Sequence, residues 1–468
     1  MTAPERSEEP ARLSPLERAL RLVTDVRPGE GVTAVVMFAN VFLILCAYYF
    51  VKPLRDGWIA TSNVGGLSKL EMKAYTSFAQ SLLLVGAVGA FARLAGRWRR
   101  RTLIVRSTLF CMSNLLVFWF LRPGGLAHDP PLAGVAFYVW VGMFGVFVVA
   151  QFWAFAADLY TDERGRRLMP LIGIGATLGA VAGSYLTEKI VDASVLDSGS
   201  LLLVANVPLA MSLLLTAIAD RRGATGAGND PGALGPATSS GGGDVGEGLA
   251  MVWHDPYLVA VAAMTLVMSW LSTNGENLLF NVVQEAIAKN LTKAGISDPR
   301  AVSAFVREGT TAFYGSFFFW VNTCALGLQA LLTSRLLRYG GFAPTLLLLP
   351  TVALLTYTGM ALLPVLLVIR VLKTAENSIN YSVNNTARQV LWLPTTAEMK
   401  YKAKPAIETF FVRFGDGLAA ATVLFVVQLQ LLTLRSALML NVVLAVVWLL
   451  VAQVVIREHR RLTTPAPG

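Results

Sequence analysis

Two stretches of this 468-residue sequence concentrate charge beside or within apolar runs. The first, YYFVKPLRDGW from Tyr48, follows directly on VTAVVMFANVFLILCA. Its Tyr48, Lys52 and Arg55 stand at i, i+4 and i+7, on one face of a helix, and Pro53 removes a backbone donor between them. Charges at a helix end often only snorkel to the membrane surface. The second stretch, RVLKTAENSINYSVNNTARQV from Arg370, is too polar for a helix bathed in lipid, and its polarity is ordered. At about 100° per residue, Arg370, Lys373, Asn377, Asn380, Tyr381, Asn384 and Arg388 fall within an arc of roughly 100°. Asparagines on such a face commonly bond neighbouring helices. Three cations on the same face favour a hydrated path for an anion, because Glu376, just off the stripe, serves only one of them.

Two further segments add opposing charge. SWLSTNGENLLFNVVQEA places Asn274, Asn277 and Asn281 on one face, with Glu276 beside Gly275, a residue able to unwind a helix. ETFFVRFGDG carries Glu408, Arg413 and Asp416, of which Arg413 and Asp416 are i, i+3 neighbours placed to neutralise one another. The candidate substrate site is therefore Lys52, Arg55, Glu276, Asn277, Arg370, Lys373, Asn377, Tyr381, Asn384, Arg388 and Arg413. The cargo expected from these residues is a small phosphorylated anion. No catalytic group is expected: the histidines are scattered at 128, 254 and 459, and Cys46, Cys111 and Cys324 sit in apolar runs as small core residues. Neither a metal nor another cofactor is implied, and nucleic acid is not an expected partner.

The elements that must hold these residues follow from composition. With 55% hydrophobic and 15% charged residues, the chain is expected to be an all-α membrane protein with the lipid bilayer as its surroundings. Twelve spans are predicted, at 33–51, 72–93, 103–121, 132–159, 168–188, 199–219, 257–284, 311–334, 343–362, 364–390, 405–431 and 435–456. A leader (1–32) precedes six of them (33–219). A Gly-rich flexible linker (220–250), a second bundle of six (251–457) and a short tail (458–468) complete the chain. Most of the 39 basic residues then fall on one side, which puts the leader, linker and tail in the cytoplasm. Two six-helix bundles around a cytoplasmic linker are the layout of the major facilitator architecture, whose pseudo-symmetric halves bind substrate between them.

A duplication supports that layout. LYTDERGRRLMPLIG from Leu159 and LPTTAEMKYKAKPAI from Leu393 match at a constant offset: Thr161 with Thr396, Glu163 with Glu398, Arg167 with Lys402 and Pro170 with Pro405. Each proline is expected just inside the start of a helix. The glycines of LIGIGATLGAVAGSYL lie within a span and read as close helix packing, not as a dinucleotide loop. No GxxxxGK[ST] loop occurs, so transport is expected to draw on a gradient or on exchange.

These motifs resemble the ATP/ADP translocase family of plastids and obligate intracellular bacteria. FWAFAADLYTDERGRRLMPLIGIGA from Phe152 is similar to that family's FWGFAN followed by acidic and basic residues and PLFGLGA. YKAKPAIETFFVRFGDG from Tyr401 is similar to its KxKxxID and Gly-rich turn, and VKPLRD to its LRDTKD. The resemblance covers most of the membrane region and implies nucleotide exchange across a bacterial cytoplasmic membrane, with Arg55 and Glu276 at family binding positions. Val141 stands where the family has an acidic residue, and Asp416 where it has lysine. Two other functions stay open: a carrier of another organic anion, proton-coupled through Glu276, and a membrane scaffold or sensor that transports nothing.

Overall fold

The computed structural model describes residues 14–21, 24–95, 98, 100–124, 132–160, 162–193, 197–226, 245–429 and 434–463. All regular elements among the described residues are helices. Eleven are long and apolar enough to cross a membrane: Gly31–Thr61, Lys69–Phe91, Arg101–Phe120, Ala133–Leu159, Arg167–Asp192, Ser198–Arg222, Pro256–Ala294, Pro299–Thr333, Phe342–Leu362, Met399–Val427 and Arg435–Thr463. A further helix, tenth in order, starts as Leu366–Ile379 and passes through a wider π turn at Asn380–Asn384 into Asn385–Val390. Its polarity alone keeps it from the apolar set. All twelve expected spans are thus helical, six on each side of residues 227–244, and the fold is of the major facilitator type.

The first span runs ten residues beyond its expected end, to Thr61, so Lys52, Arg55 and Asp56 lie inside a helix and not at its edge. Pro53 does not stop it. A proline strands the carbonyl four residues earlier, and here the hydroxyl of Thr187, shared with the Gly183 carbonyl at 2.9 Å, lies 3.2 Å from that Tyr49 carbonyl. Thr187 belongs to the fifth span, whose glycines lie against the same helix. A Cβ on Gly175, Gly179 or Gly183 would meet the carbonyl oxygen of Phe38, Phe42 or Cys46 at 2.7, 2.2 or 2.5 Å. The expected glycine packing is therefore present, and backbone contact fixes the first and fifth spans together.

Three local expectations change. Gly275 does not unwind the seventh span, which is continuous over Pro256–Ala294; its missing side chain admits the Tyr357 hydroxyl, 1.9 Å from where a Cβ would stand. Pro170 lies well inside a helix that begins at Asp162, and Pro405 likewise follows helical turns from Met399. Cys46 and Cys111 are buried, but Cys324 is exposed. At the ends, the leader forms a short helix, Pro15–Leu20, closed by a capping box between Ser14 and Glu17. The expected linker ends in a helix, Val245–His254, and the last span extends through Thr463, into the expected tail.

The duplicated loop does the same work in both halves. Arg167 donates to both carboxylate oxygens of Glu30, each at 3.0 Å, tying the fifth span to the entry of the first. In the second half Lys402 pairs with Glu247 at 3.0 Å and with Glu398 at 3.1 Å, tying the eleventh span to the helix before the seventh. Thr161, the remaining partner of that match, lies outside the described residues. Between the halves, the fifth span packs on the eighth and the second on the eleventh. The eighth span also packs on the first.

Candidate functional site

The charged cavity is built from both halves. Arg55 and Asp56 of the first span, Lys73, Ser77, Gln80 and Ser81 of the second, and Tyr138 of the fourth form one wall. Thr273, Glu276 and Asn277 of the seventh span, Tyr314 and Phe318 of the eighth, and Arg413 and Asp416 of the eleventh form the other. The enclosed volume is about 190 Å³, below the roughly 300–1,000 Å³ usual for ligand pockets. A solute much larger than this volume would need the halves to part.

Three cations and three carboxylates line the space. Asp56 is paired with Lys73 at 3.0 Å and with Arg55 at 3.4 Å. The Lys73 ammonium also donates to the Tyr314 hydroxyl at 3.2 Å across the halves. The Arg55 guanidinium carbon lies 4.7 Å from the Tyr138 ring centroid, a cation–π contact, and the side chain lines the cavity. Opposite, Arg413 bonds Asp416 at 3.2 Å, as their spacing led one to expect. Asp416 is further held by Thr273 at 2.8 Å, Ser269 at 3.1 Å and Ser81. Glu276 accepts from Asn377 at 2.9 Å and is the most open of the three acids. Two donors of the wall, Asn277 Nδ2 and Arg413 Nε, and one acceptor, Gln80 Oε1, are buried and have no hydrogen-bond partner among the described residues.

Of the residues singled out by spacing, Arg55, Glu276, Asn277 and Arg413 come together around this cavity, and the tenth span lies behind Glu276 without lining it. Its basic stripe is instead divided among protein partners, contrary to the expectation that its cations outnumber them. Lys373 is buried and bonds Glu376 at 2.9 Å, with Glu276 at 3.9 Å. Arg388 meets Glu408 at 3.4 Å, and Arg370 donates to Ser316 at 2.6 Å. Asn377 donates to Glu276 and Asn384 to Asn380, both at 2.9 Å. Tyr381 approaches Lys52, which lies just beside the cavity. Lys73 and Asp56 were missed by spacing because a charge near an expected span end reads as loop. The available signal was Lys73, Ser77 and Ser81 at i, i+4 and i+8, one polar face of the second span.

The halves are tied together on one side of this cavity. Ser198 donates to Glu308 at 2.7 Å, Arg307 lies 3.9 Å from Asp197, and Lys69 donates to Gln284 at 3.4 Å. Gly57 lies against Thr311 and Arg307, where a Cβ would stand 2.3 Å from the Thr311 hydroxyl. All of these contacts lie towards the end of the bundle away from the described chain termini.

No family model matches the chain, and no curated protein matches it either. Among solved structures, it is similar to a POT family transporter in complex with 5-aminolevulinic acid, with a TM-score of 0.60 at 12% identity, covering 92% of this chain and 96% of that one. The nucleoside transporter NupG gives 0.58 at 11%, covering 93% and 100%. The human organic anion transporter MFSD10 gives 0.53 at 14%, covering 91% and 100%. At such identities the likeness is one of fold.

Proposed function

We propose that the protein is an alternating-access carrier of a small organic anion, gripped by Arg55 from one half and Arg413 from the other. The observation that carries this reading is the pair of buried donors in the cavity wall, Asn277 Nδ2 and Arg413 Nε, with no partner among the described residues. An unpaired buried donor costs about 1–3 kcal/mol, and an acceptor-rich guest recovers it. The major facilitator fold supplies the motion: one end is closed by polar and backbone contacts, and the substrate sits where the halves meet.

A second reading, exchange of nucleotides, is favoured by the resemblance of the loop and first-span motifs to the ATP/ADP translocases. It requires the cavity to widen, and it places the phosphates on Arg55, Arg413 and Asn277. Purified protein in liposomes tests both readings. ADP-loaded vesicles offered labelled ATP report exchange; empty vesicles offered labelled phosphate, a sugar phosphate or a dicarboxylate report uptake. Flux of one of these anions that is lost in Arg55→Gln and in Arg413→Gln is the expected result. Flux of phosphate or a sugar phosphate without ATP retains the carrier and removes the nucleotide. No flux in any arm overturns the proposal.

A further inference from the structure

Lys52 has no carboxylate partner among the described residues, yet only 8% of it is exposed. Its ammonium is instead enclosed by four aromatic rings. Phe318 lies 3.9 Å from it by ring centroid, Tyr49 4.9 Å, Tyr381 5.7 Å and Tyr48 5.9 Å. Tyr48 and Tyr49 belong to the first half, Phe318 and Tyr381 to the second. The Tyr381 hydroxyl is 3.5 Å from Nζ, and Tyr381 is the exposed member of the box at 41%.

The box lies at one end of the cavity. Lys52 precedes Arg55 by three residues, about 4.5 Å of helix rise, towards the end of the bundle that bears the described termini. Phe318 follows Tyr314 by about one turn in the eighth span, and Tyr381 follows Asn377 likewise in the tenth; both of those spans run back towards that same end. Phe318 also lines the cavity itself, so one ring is shared by the two compartments. The opposite end is the one closed by the Ser198–Glu308 and Lys69–Gln284 contacts.

A lone cation in an aromatic box attracts anions and repels cations, whereas the cavity beyond it carries both signs in equal number. We infer that Lys52 and its four rings form a charge-selective gate, through which anions pass between the termini-bearing side and the cavity. An anionic group arriving there draws the ammonium from the rings that join the halves, which loosens the gate, and Arg55 on the same helix face receives the anion one turn further in. Anion selection is thereby assigned to Lys52, and retention to Arg55 and Arg413.

The test needs no knowledge of the cargo. In a Cys324→Ser background, Ser77→Cys puts a thiol on the cavity wall, and two membrane-impermeant thiosulfonate reagents of similar size, one bearing a sulfonate and one a trimethylammonium group, are applied from the termini-bearing side. The sulfonate reagent should react at least ~10-fold faster than the cationic one. Lys52→Met, which keeps length and bulk, should bring the two rates together. Tyr381→Ala, at the exposed edge of the box, should accelerate both reagents while keeping their order. Equal rates in the parent protein, or a ratio unchanged by Lys52→Met, overturn the gate. If Lys52→Met does not fold, Lys52→Arg should preserve the ratio, and its loss there overturns the gate equally. Charge selection without flux in the liposome panel would leave the gate standing and remove the carrier reading.

Discussion

The segment around Lys52 and Arg55 and the stripe from Arg370 to Arg388 carry similar groups on similar helical spacings, yet the bundle treats them differently. Every cation of the stripe is matched to a partner on its own half: Lys373 to Glu376, Arg388 to Glu408 and Arg370 to Ser316. In the first span Arg55 shares Asp56 with Lys73 and lies beside the Tyr138 ring, and Lys52 has four rings and the Tyr381 hydroxyl. Charge on one helix face therefore marks a polar environment without saying whether that environment is protein or cargo. What separates the two is whether a cation has a partner of its own: Lys373 and Arg388 each have a carboxylate, whereas Arg55 must share one with Lys73 and Lys52 has none among the described residues.

The comparison breaks first at Lys373. Lys373→Met leaves Glu376 as a buried unpaired charge and should cost ~3–5 kcal/mol of stability, read as a lowered thermal midpoint in detergent; adding Glu376→Leu should restore most of the loss. A stable single variant with failed cargo binding would move Lys373 to the cargo side of the comparison. Arg55 is expected to behave in the opposite way. Arg55→Gln should leave folding nearly intact, since Asp56 keeps Lys73, and should weaken anion binding by ~1.5–3 kcal/mol, about tenfold to more than a hundredfold. Arg55→Lys should fall between, because lysine keeps the charge and loses the planar fork.

Arg388 sharpens the contrast at its shallow end. Its side chain and that of Glu408 are 31% and 39% exposed, so Arg388→Gln should shift stability by no more than about 1 kcal/mol. The smallest effect extends the comparison to a pair outside the spans. Burial opposes ionisation of Glu30, but the Arg167 bond, the Arg27 backbone N–H and the charges of Arg167 and Arg164 outweigh it and hold the carboxyl below its ordinary range. With a depressed folded value, its stabilisation is present above an unfolded pKa of about 4.3 and is lost as pH falls through the folded one. Hydrogen-exchange protection at residues 24–30, after division by the intrinsic rate at each pH, should therefore stay flat above about pH 5 and fall in acid, and Glu30→Gln should remove the acid fall.

By itself, the order of residues determined the twelve helices, their division into two sixes and the repeated loop, because hydrophobic length and local basic pairs act within short stretches of chain. The same is true of the glycine face on the fifth span and of the Arg413–Asp416 pair, whose spacing suffices to bring them together. Tertiary structure decided the rest. The first span outruns its apolar stretch, and the carbonyl that Pro53 strands lies within reach of Thr187, more than a hundred residues later. The cavity gained Asp56 and Lys73 and excluded the tenth-span stripe because the second and eleventh spans pack together and bring Ser81 to Asp416, while Glu376 and Glu408 claim the stripe's cations locally. A charge's role inside a membrane depends on which opposite charge, hydroxyl or ring lies within a few ångströms, and those neighbours come from helices far apart in the chain.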